Sequence, residues 1–315
     1  MFFTVPFIAF ILQYANINHD GSIHDTLINM AHNTTYNYFS KENFYVVCCW
    51  TFFQFLLFLL PDCVSKFIGS YKGGMQTGQI TPAGNAHVYN INGFQALLIT
   101  YALFIMLSVH NIISISWIAN NWLQLFVSAN IFGYMLTIII YHKAIYYPSF
   151  VMDDRYSGSI MYDMIMGIEL NPRIKNFDIK LFFNGRPGII GWLLINTSFM
   201  AYQYEKFGSI SNSMIIVYVL QAIYILDFFF NESWYLRTID ISHDHFGWIL
   251  TWGDCVWLPF MYTLQAAYLS NNYNVLSNLE CFLILMIGFT GYIIFRCANY
   301  QKDSFRQGKY IGTYI

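Results

Sequence analysis

The chain has 315 residues, of which 57% are hydrophobic, 20% aromatic and only 10% charged. A soluble domain carries about 25% charged residues, so this composition excludes an ordinary soluble globule. The 15 basic and 17 acidic residues nearly balance, which argues against a nucleic-acid-binding protein, and six cysteines without paired spacing exclude a secreted disulfide scaffold. The class that remains is a polytopic membrane protein.

Long apolar segments predict an all-α transmembrane helix bundle. A helix needs about 20 mostly apolar residues to cross a bilayer. Eight segments are candidates, at 3–17, 44–60, 93–109, 122–141, 188–203, 212–230, 246–269 and 280–298. The chain has no internal repeat and no low-complexity linker, so residues 1–315 are expected to form a single multi-pass membrane domain.

The basic residues in the loops predict the orientation of the bundle. Thirteen of the 15 Lys and Arg residues fall on one side of the eight predicted spans, and only Lys41 and Lys206 fall on the other. Basic loops remain in the cytoplasm during membrane insertion. Both termini are therefore expected to be cytoplasmic.

The sixth predicted span carries a polar face inside an apolar run. Tyr224, Asp227 and Asn231 follow an i, i+3, i+7 spacing, which places them on one side of a helix. An ionisable group at membrane depth usually faces a cavity or a partner. A structural stripe of hydrogen bonds between helices fits the same spacing, and Asp254 in the seventh span presents the same two alternatives.

The segment 232–245 is the densest group of titratable residues and raises the question of a metal site. His243 and His245 are two residues apart, so they point in different directions on a helix, and the other histidines outside this segment are isolated. No metal site is expected here. A metal-dependent lipid hydroxylase is accordingly the least favoured function.

Two cations follow the last predicted span. Lys302 and Arg306 are spaced i, i+4 and would share one face if the helix continues. Such a pair can clamp a phosphate group. It can equally anchor the helix to anionic lipid head groups, and spacing alone favours the lipid anchor.

Several long motifs resemble one known family. The clearest is GSIMYDMIMGIELNPR at residues 158–173. It resembles the signature of the membrane sterol reductases, which include the Δ14- and Δ24(28)-sterol reductases and the sterol-reductase part of the lamin B receptor. Within that family, the 7-dehydrocholesterol reductase branch resembles this chain in the motifs TPAG at 81–84, FNGRPG at 183–188 and WYLRTIDISHDHFGWILTWGDCVWLPFMYTLQ at 234–265. The resemblance extends over about residues 74–306.

The resemblance implies a sterol reductase of the endoplasmic reticulum membrane that acts in sterol biosynthesis. Its reaction would be the NADPH-dependent reduction of the 7,8 double bond of a 5,7-diene sterol. By analogy, Lys302 and Arg306 match family positions that contact NADPH. Tyr224 matches a tyrosine proposed to help protonate the sterol.

This chemistry requires an acid because an unactivated alkene does not accept hydride until it is protonated. We expect Tyr224 to donate a proton that is relayed from Asp227 or Glu232. Aromatic faces can stabilise the resulting carbocation, although core packing is the commoner role of such side chains. The residues expected to contact the substrate are Trp234, Trp248, Trp252 and Tyr262.

The resemblance also implies sequence beyond the end of this chain. Family members continue past the position of Arg306 into a segment that carries the rest of the NADPH site, and residues 307–315 show none of its elements. We therefore expect a C-terminally truncated reductase with weak or no activity alone, for which a second chain is a candidate source of the remainder. The alternative is a non-catalytic sterol-binding or scaffolding membrane protein. The other expected partners are a sterol and membrane lipids, without nucleic acid.

Overall fold

The computed structural model describes residues 1–18, 24–26, 28 and 38–309, and these residues are mostly helical. The helices are α1 (Thr4–Asn18), α2 (Lys41–Leu59), α3 (Gly93–Val109), α4 (Trp117–Asn120), α5 (Trp122–Tyr146), α6 (Ile160–Met166), α7 (Ile179–Phe207), α8 (Asn212–Phe230), α9 (Glu232–Tyr235), α10 (Ile239–Ser242), α11 (Trp248–Trp252), α12 (Leu264–Asn271) and α13 (Asn278–Arg306). A π-helix spans Gly253–Met261, and short 3₁₀ helices span Val64–Lys66 and Val151–Asp153. The strands are β1 (Gly74–Ile80), β2 (Ala86–Ile91), β3 (Arg173–Ile174) and β4 (Phe177–Asp178).

Two short strand pairs accompany the helices of the expected all-α bundle. Strands β1 and β2 form one antiparallel hairpin and β3 and β4 form another. In β2, residues His87, Tyr89 and Ile91 are buried while their neighbours are more exposed, which is the two-residue period of a strand. At the turn of the first hairpin, Asp153 accepts hydrogen bonds from the Thr81 hydroxyl at 2.8 Å and the Ala83 N–H at 2.9 Å.

Four described helices are long and apolar enough to cross a membrane, namely α2, α5, α8 and α13. They correspond to four of the predicted spans. Helices α1 and α3 occupy two more predicted positions but are shorter, with 15 and 17 residues. The structure therefore supports a helical membrane protein with several candidate spans.

The fifth and seventh predicted spans differ from a simple apolar helix. The segment 188–203 lies within the 29-residue helix α7, most of which is buried among the other helices. The segment 246–269 is divided into α11, the π-helix and α12. Pro259 lies inside the π-helix and has no N–H to donate to a helical hydrogen bond, so a regular α-helix cannot continue through this position.

Capping residues fix where helices α7, α8 and α13 begin. Helix α13 starts with a reciprocal capping box, in which the Ser277 hydroxyl accepts from the Glu280 N–H and the Glu280 carboxylate accepts from the Ser277 N–H. Ser211 caps α8 and Asp178 caps α7 by a single bond each, in which the side-chain oxygen accepts the backbone N–H three residues later.

Apolar side chains form three buried clusters in contact with α7, and α13 lies outside them. One cluster is centred on Trp122 and Phe199, a second on Phe182, and a third on Ile190. Of the residues in α13, only Asp303 and Ser304 are buried. Helix α13 thus packs at the edge of the bundle against α8, and this arrangement leaves a cavity between α13 and the central helices.

Candidate active site

A cavity of about 740 Å³ lies between α7, α8, the segment 231–240, the π-helix and α13. It contains both charged and apolar walls. Six of the nine residues predicted from the sequence line it: Tyr224, Asp227, Trp234, Tyr262, Lys302 and Arg306. The structure thus brings most of the predicted residues to one place, although what each of them does there remains a proposal.

Asp227 is held in an ion pair at the wall of this cavity. Its carboxylate lies 3.2 Å from the Arg296 Nε atom and accepts hydrogen bonds from the Tyr292 hydroxyl at 2.9 Å and the Asn231 side-chain amide at 3.2 Å. These contacts all engage the Asp227 carboxylate as an acceptor or as the anion of the pair. In the described part of the chain no hydrogen bond joins Asp227 to Tyr224, and the relay between them stays a prediction.

The Arg296 guanidinium also lies over the ring of Trp234, 4.3 Å from its centroid. This is a cation–π contact within the protein. Because a guanidinium already occupies that face of Trp234, the same face is not free to stabilise a substrate cation. The structure leaves Trp234 as a lining residue whose contact with substrate stays a prediction.

Tyr224 is positioned by aromatic neighbours and keeps its hydroxyl free. Its ring packs 5.7 Å from that of Trp192 and 5.8 Å from that of Phe295, measured between centroids. Trp192 also contacts Tyr262 at 5.1 Å, so the two tyrosines share one aromatic wall. Within the described part of the chain the Tyr224 hydroxyl has no hydrogen-bond partner, and it lies where it can reach a bound molecule.

The cationic end of the cavity is formed by α13 and the segment before α10. Arg237 donates to the Asp303 carboxylate at 2.5 Å, and Arg306 donates to the Arg237 carbonyl oxygen. Lys302 has no hydrogen bond or ion pair to any described residue. This end of the cavity therefore offers positive charge that is only partly neutralised.

Glu232 does not line the cavity. Its carboxylate accepts the Gly93 N–H at 2.7 Å and pairs with the buried Arg186 guanidinium at 3.1 Å. Burial raises the pKa of Glu232, although the nearby Arg186 charge opposes this shift. The predicted relay from Glu232 to Tyr224 has no support in this arrangement, since the chain turns at Asn231 and directs Glu232 toward α3.

Trp248 and Trp252 also lie outside the cavity. Their rings stack 5.2 Å apart in a buried cluster near the N-terminus of the chain, and the Trp252 indole donates to the Asn130 side chain at 2.9 Å. Both are almost fully buried. Their packing corresponds to a core role, which was the alternative for these aromatics, and their predicted contact with substrate gains no support from this cavity.

The two neighbouring histidines are engaged separately. His243 bonds to the Ser242 hydroxyl at 2.7 Å, whereas His245 bonds to the Asp153 carbonyl oxygen at 3.0 Å. Among the described residues, no three His, Cys, Asp or Glu side chains are grouped closely enough to hold a metal ion. The hydroxylase alternative therefore lacks a ligand set in this part of the chain.

Some residues that shape the cavity could not be assigned a role from the sequence. Arg296 interrupts an apolar helix, and a charged residue at such a position was a signal in the sequence for a functional partner. Asn184 and Tyr235 are hydrogen-bonded to each other and come from distant parts of the sequence. No local spacing brings that pair together, so only the fold reveals it.

The chain belongs to the ergosterol biosynthesis ERG4/ERG24 family, whose sequence model matches residues 7–314. This confirms the resemblance to the membrane sterol reductases, and the match reaches further toward the N-terminus than the motifs do. The fold and the cavity are therefore those of a membrane protein of a sterol reductase family.

Individual relatives are named as reductases of two sterol double bonds. The chain is 48% identical to a probable 7-dehydrocholesterol reductase of Acanthamoeba polyphaga mimivirus, over all of this chain and 72% of the relative. It is 51% identical to 7-dehydrocholesterol reductase of Xenopus laevis over 83% of this chain and 56% of the relative. A Delta(14)-sterol reductase of Methylotuvimicrobium alcaliphilum is 38% identical over 73% of this chain and 53% of the relative. The chain thus spans just over half the length of the last two proteins.

Proposed function

We propose that this protein takes part in the NADPH-dependent reduction of the 7,8 double bond of a 5,7-diene sterol. The observation that carries the proposal is a single cavity with the free hydroxyl of Tyr224 at one wall and the cations Lys302 and Arg306 at another. The relatives named 7-dehydrocholesterol reductase, at 48% and 51% identity, support the choice of substrate. The Delta(14)-sterol reductase relative is less similar, at 38%.

The residues at the cationic end suit a phosphate-bearing cofactor. Lys302 and Arg306 both line the cavity and are exposed to it, and ammonium and guanidinium groups are the usual partners of phosphate oxygens. Arg237 is less available because Asp303 pairs with it. We infer that Lys302 and Arg306 hold the phosphates of NADPH. When bound, this cofactor supplies the hydride for the reduction.

The remaining walls give the chain three tasks in the reaction. The apolar side chains Ile189, Leu250 and Leu258 line the cavity and would exclude water from the sterol rings. The Tyr224 hydroxyl would contact the double bond and assist its protonation. The Tyr262 ring beside it would stabilise positive charge on the sterol.

We further propose a single domain of eight spans in the endoplasmic reticulum membrane, with both termini on the cytosolic side. The distribution of basic residues supports this orientation, with Lys41 and Lys206 alone on the opposite side. The cavity cations Lys302 and Arg306 would then face the cytosol, where NADPH is available. Helices α1 and α3 would cross the membrane as short spans with local thinning of the bilayer.

The test is conversion of sterol in yeast that lacks Δ7-sterol reduction and contains a 5,7-diene sterol. One arm expresses this chain alone. A second arm co-expresses the part of the Xenopus laevis relative that the match does not cover, because the chain covers 56% of that protein. We expect a product saturated at the 7,8 bond in the second arm and little or none in the first.

Variants connect that product to the cavity. Tyr224→Phe should lower conversion by about a hundredfold or more, since general acids contribute on this scale. Lys302→Ala with Arg306→Ala should abolish binding of NADPH to the purified protein. Tyr268→Phe, which changes an exposed tyrosine outside the cavity, is the matched control and should convert sterol normally. Absence of product in both arms, with the proteins present in the membrane, would contradict a reductase, and retained sterol binding would then favour the non-catalytic alternative.

A further inference from the structure

Asp254 is a carboxyl group in the cavity wall that the reaction described above does not use. It lies in the π-helix, between the apolar lining residues Leu250 and Leu258. We propose that Asp254 delivers the proton to the sterol double bond, an inference that rests on the proposed reductase function. Asp254 would then be a catalytic residue in contact with substrate, and Tyr224, which lines the same cavity, would assist it.

The backbone around Asp254 is fixed by close packing. A Cβ atom on Gly188 would lie 2.5 Å from the Asp254 carbonyl oxygen, so only glycine allows α7 to approach the π-helix at this point. Pro259 prevents the segment from relaxing into a regular α-helix. Short π-helical segments in proteins occur frequently at functional sites. The result is a carboxyl group held at one position against the cavity.

The carboxyl group of Asp254 has no partner. Its Oδ2 atom is buried and makes no hydrogen bond to any residue that the structure describes. The charged groups that face it are Asp240 and Lys180. The Lys180 ammonium is already committed to two carbonyl oxygens, of Ile241 at 3.0 Å and Asp244 at 2.8 Å. An unpaired carboxylate is costly in such a place, and a carboxyl group that carries its proton is not.

The other acidic side chains of the cavity are unsuited to this role. Of the four aspartates in the lining, Asp227 is paired with Arg296 and Asp303 is paired with Arg237. Asp240 is exposed to solvent at the cavity edge. Asp254 is the remaining aspartate of the lining, and it is adjacent to apolar walls where the sterol rings are expected to lie.

The proposed step balances as an acid addition to an alkene. The O–H bond of Asp254 breaks and a C–H bond forms from the electron pair of the sterol double bond, which leaves a carboxylate and a carbocation. The carbocation then accepts one hydride, that is one proton together with two electrons, for which the dihydronicotinamide of NADPH would be the reductant. The carboxylate of Asp254 regains its proton from water that enters past Asp240 after product leaves.

The experiment measures the proton directly and does not require turnover. Infrared spectra of the purified full chain are recorded in H₂O and in D₂O, with and without a 5,7-diene sterol. We expect a carbonyl band of a protonated carboxyl group that shifts down in D₂O and is lost in Asp254→Asn. Asp240→Asn is the matched control and should keep the band. Addition of the sterol should shift the same band if Asp254 contacts the substrate.

Two outcomes would overturn the inference. One is a wild-type spectrum identical to that of Asp254→Asn, and the other is a band that sterol binding leaves unmoved. If Asp254→Asn does not fold, Asp254→Glu serves instead and should retain the band at a displaced position. Sterol binding is measured in parallel by the absorbance of the diene. If the wild-type chain does not bind the sterol, the proposed function is contradicted. If it binds the sterol but shows no carboxyl band, only the role of Asp254 is contradicted.

Discussion

At the scale of single residues, the partner of each acidic side chain decides what it can do. The spacing of Tyr224 and Asp227 correctly predicted that both lie on one face, because a continuous helix carries them. Glu232 follows only five residues later but lies outside the cavity, since α8 ends at Phe230 and the chain turns. Spacing in a sequence predicts a shared face only within an unbroken helix.

The buried ion pair of Arg186 and Glu232 predicts a large effect on stability. Arg186 is fully buried and its Nη2 atom lies 3.1 Å from Glu232. Arg186→Met would leave Glu232 buried without a countercharge, which costs about 3–5 kcal/mol. We expect the detergent concentration at the midpoint of unfolding to fall clearly, with unfolding monitored by tryptophan fluorescence.

A second variant separates charge from packing at this pair. Glu232→Gln added to Arg186→Met removes the unpaired charge while it keeps an acceptor for the Gly93 N–H. The double variant should therefore recover part of the lost stability. Equal stability of the single and double variants would show that packing, and not the unpaired charge, causes the loss.

Asp154 predicts a dependence of stability on pH. Burial, together with the negative charge of Glu169, raises the pKa of Asp154 from 3.8 to about 6. The folded protein therefore binds this proton more tightly than the unfolded chain does. The resulting stabilisation is complete below pH 3.8 and is lost as the pH rises through about 6.

Melting temperatures of the wild type and Asp154→Asn across this pH range test the assignment. The difference between the two proteins should change with pH, because the variant lacks the titrating group. Asp244→Asn, at an exposed position in another loop, should follow the wild type. Parallel curves for wild type and Asp154→Asn would rule out Asp154 as the source.

At the scale of elements, α13 is attached to the bundle mainly by polar contacts. Arg296 bonds to Asn231 at 2.8 Å and pairs with Asp227 at 3.2 Å, and Tyr292 adds a further bond to Asp227. Nearly all other residues of this helix are exposed or only partly buried. The position of Lys302 and Arg306 on the same helix therefore depends on the Arg296 contacts.

Arg296→Met should loosen α13 and weaken cofactor binding together. A hydrogen bond to a charged group contributes about 1.5 kcal/mol or more, which corresponds to roughly a tenfold change in an equilibrium. We expect amide hydrogen exchange in α13 to rise by about this factor and the affinity for NADPH to fall.

Thr290→Ala is the matched control for this helix. The Thr290 hydroxyl is exposed, and among the described residues it bonds only to the Met286 carbonyl oxygen of its own helix. It should leave both exchange and NADPH affinity unchanged. An unchanged Arg296→Met, or an equal effect of Thr290→Ala, would show that these contacts do not hold α13 in place.

The seventh predicted span shows why composition alone could not give the elements. Hydropathy locates an apolar run at 246–269 correctly but does not report its hydrogen-bond pattern. Pro259 and the approach of α7 at Gly188 produce the π-helix, and the second of these is a contact between distant segments. The same tertiary contact places Asp254 in the cavity wall, which its local sequence left undecided.

At the scale of the whole molecule, the sequence predicts membrane class and family well and the number of crossings less well. In the part of the chain that the structure describes, four helices satisfy length and hydropathy together. Helix α7 is buried by its neighbours, so its hydropathy need not match that of a lipid-exposed span. The count of eight therefore depends on the broken seventh segment and on the two short helices.

Labelling of two introduced cysteines tests whether the broken segment crosses the membrane. Lys206 is exposed at the end of α7 and Lys309 is exposed beyond α13, and three proposed spans separate them. In sealed vesicles of endoplasmic reticulum, an impermeant maleimide should label Lys309→Cys directly and Lys206→Cys only after permeabilisation. The exposed native cysteines Cys49, Cys63 and Cys297 are first replaced by serine. If α11, the π-helix and α12 formed a re-entrant segment, only two spans would separate the positions, and both cysteines would be labelled from the same side.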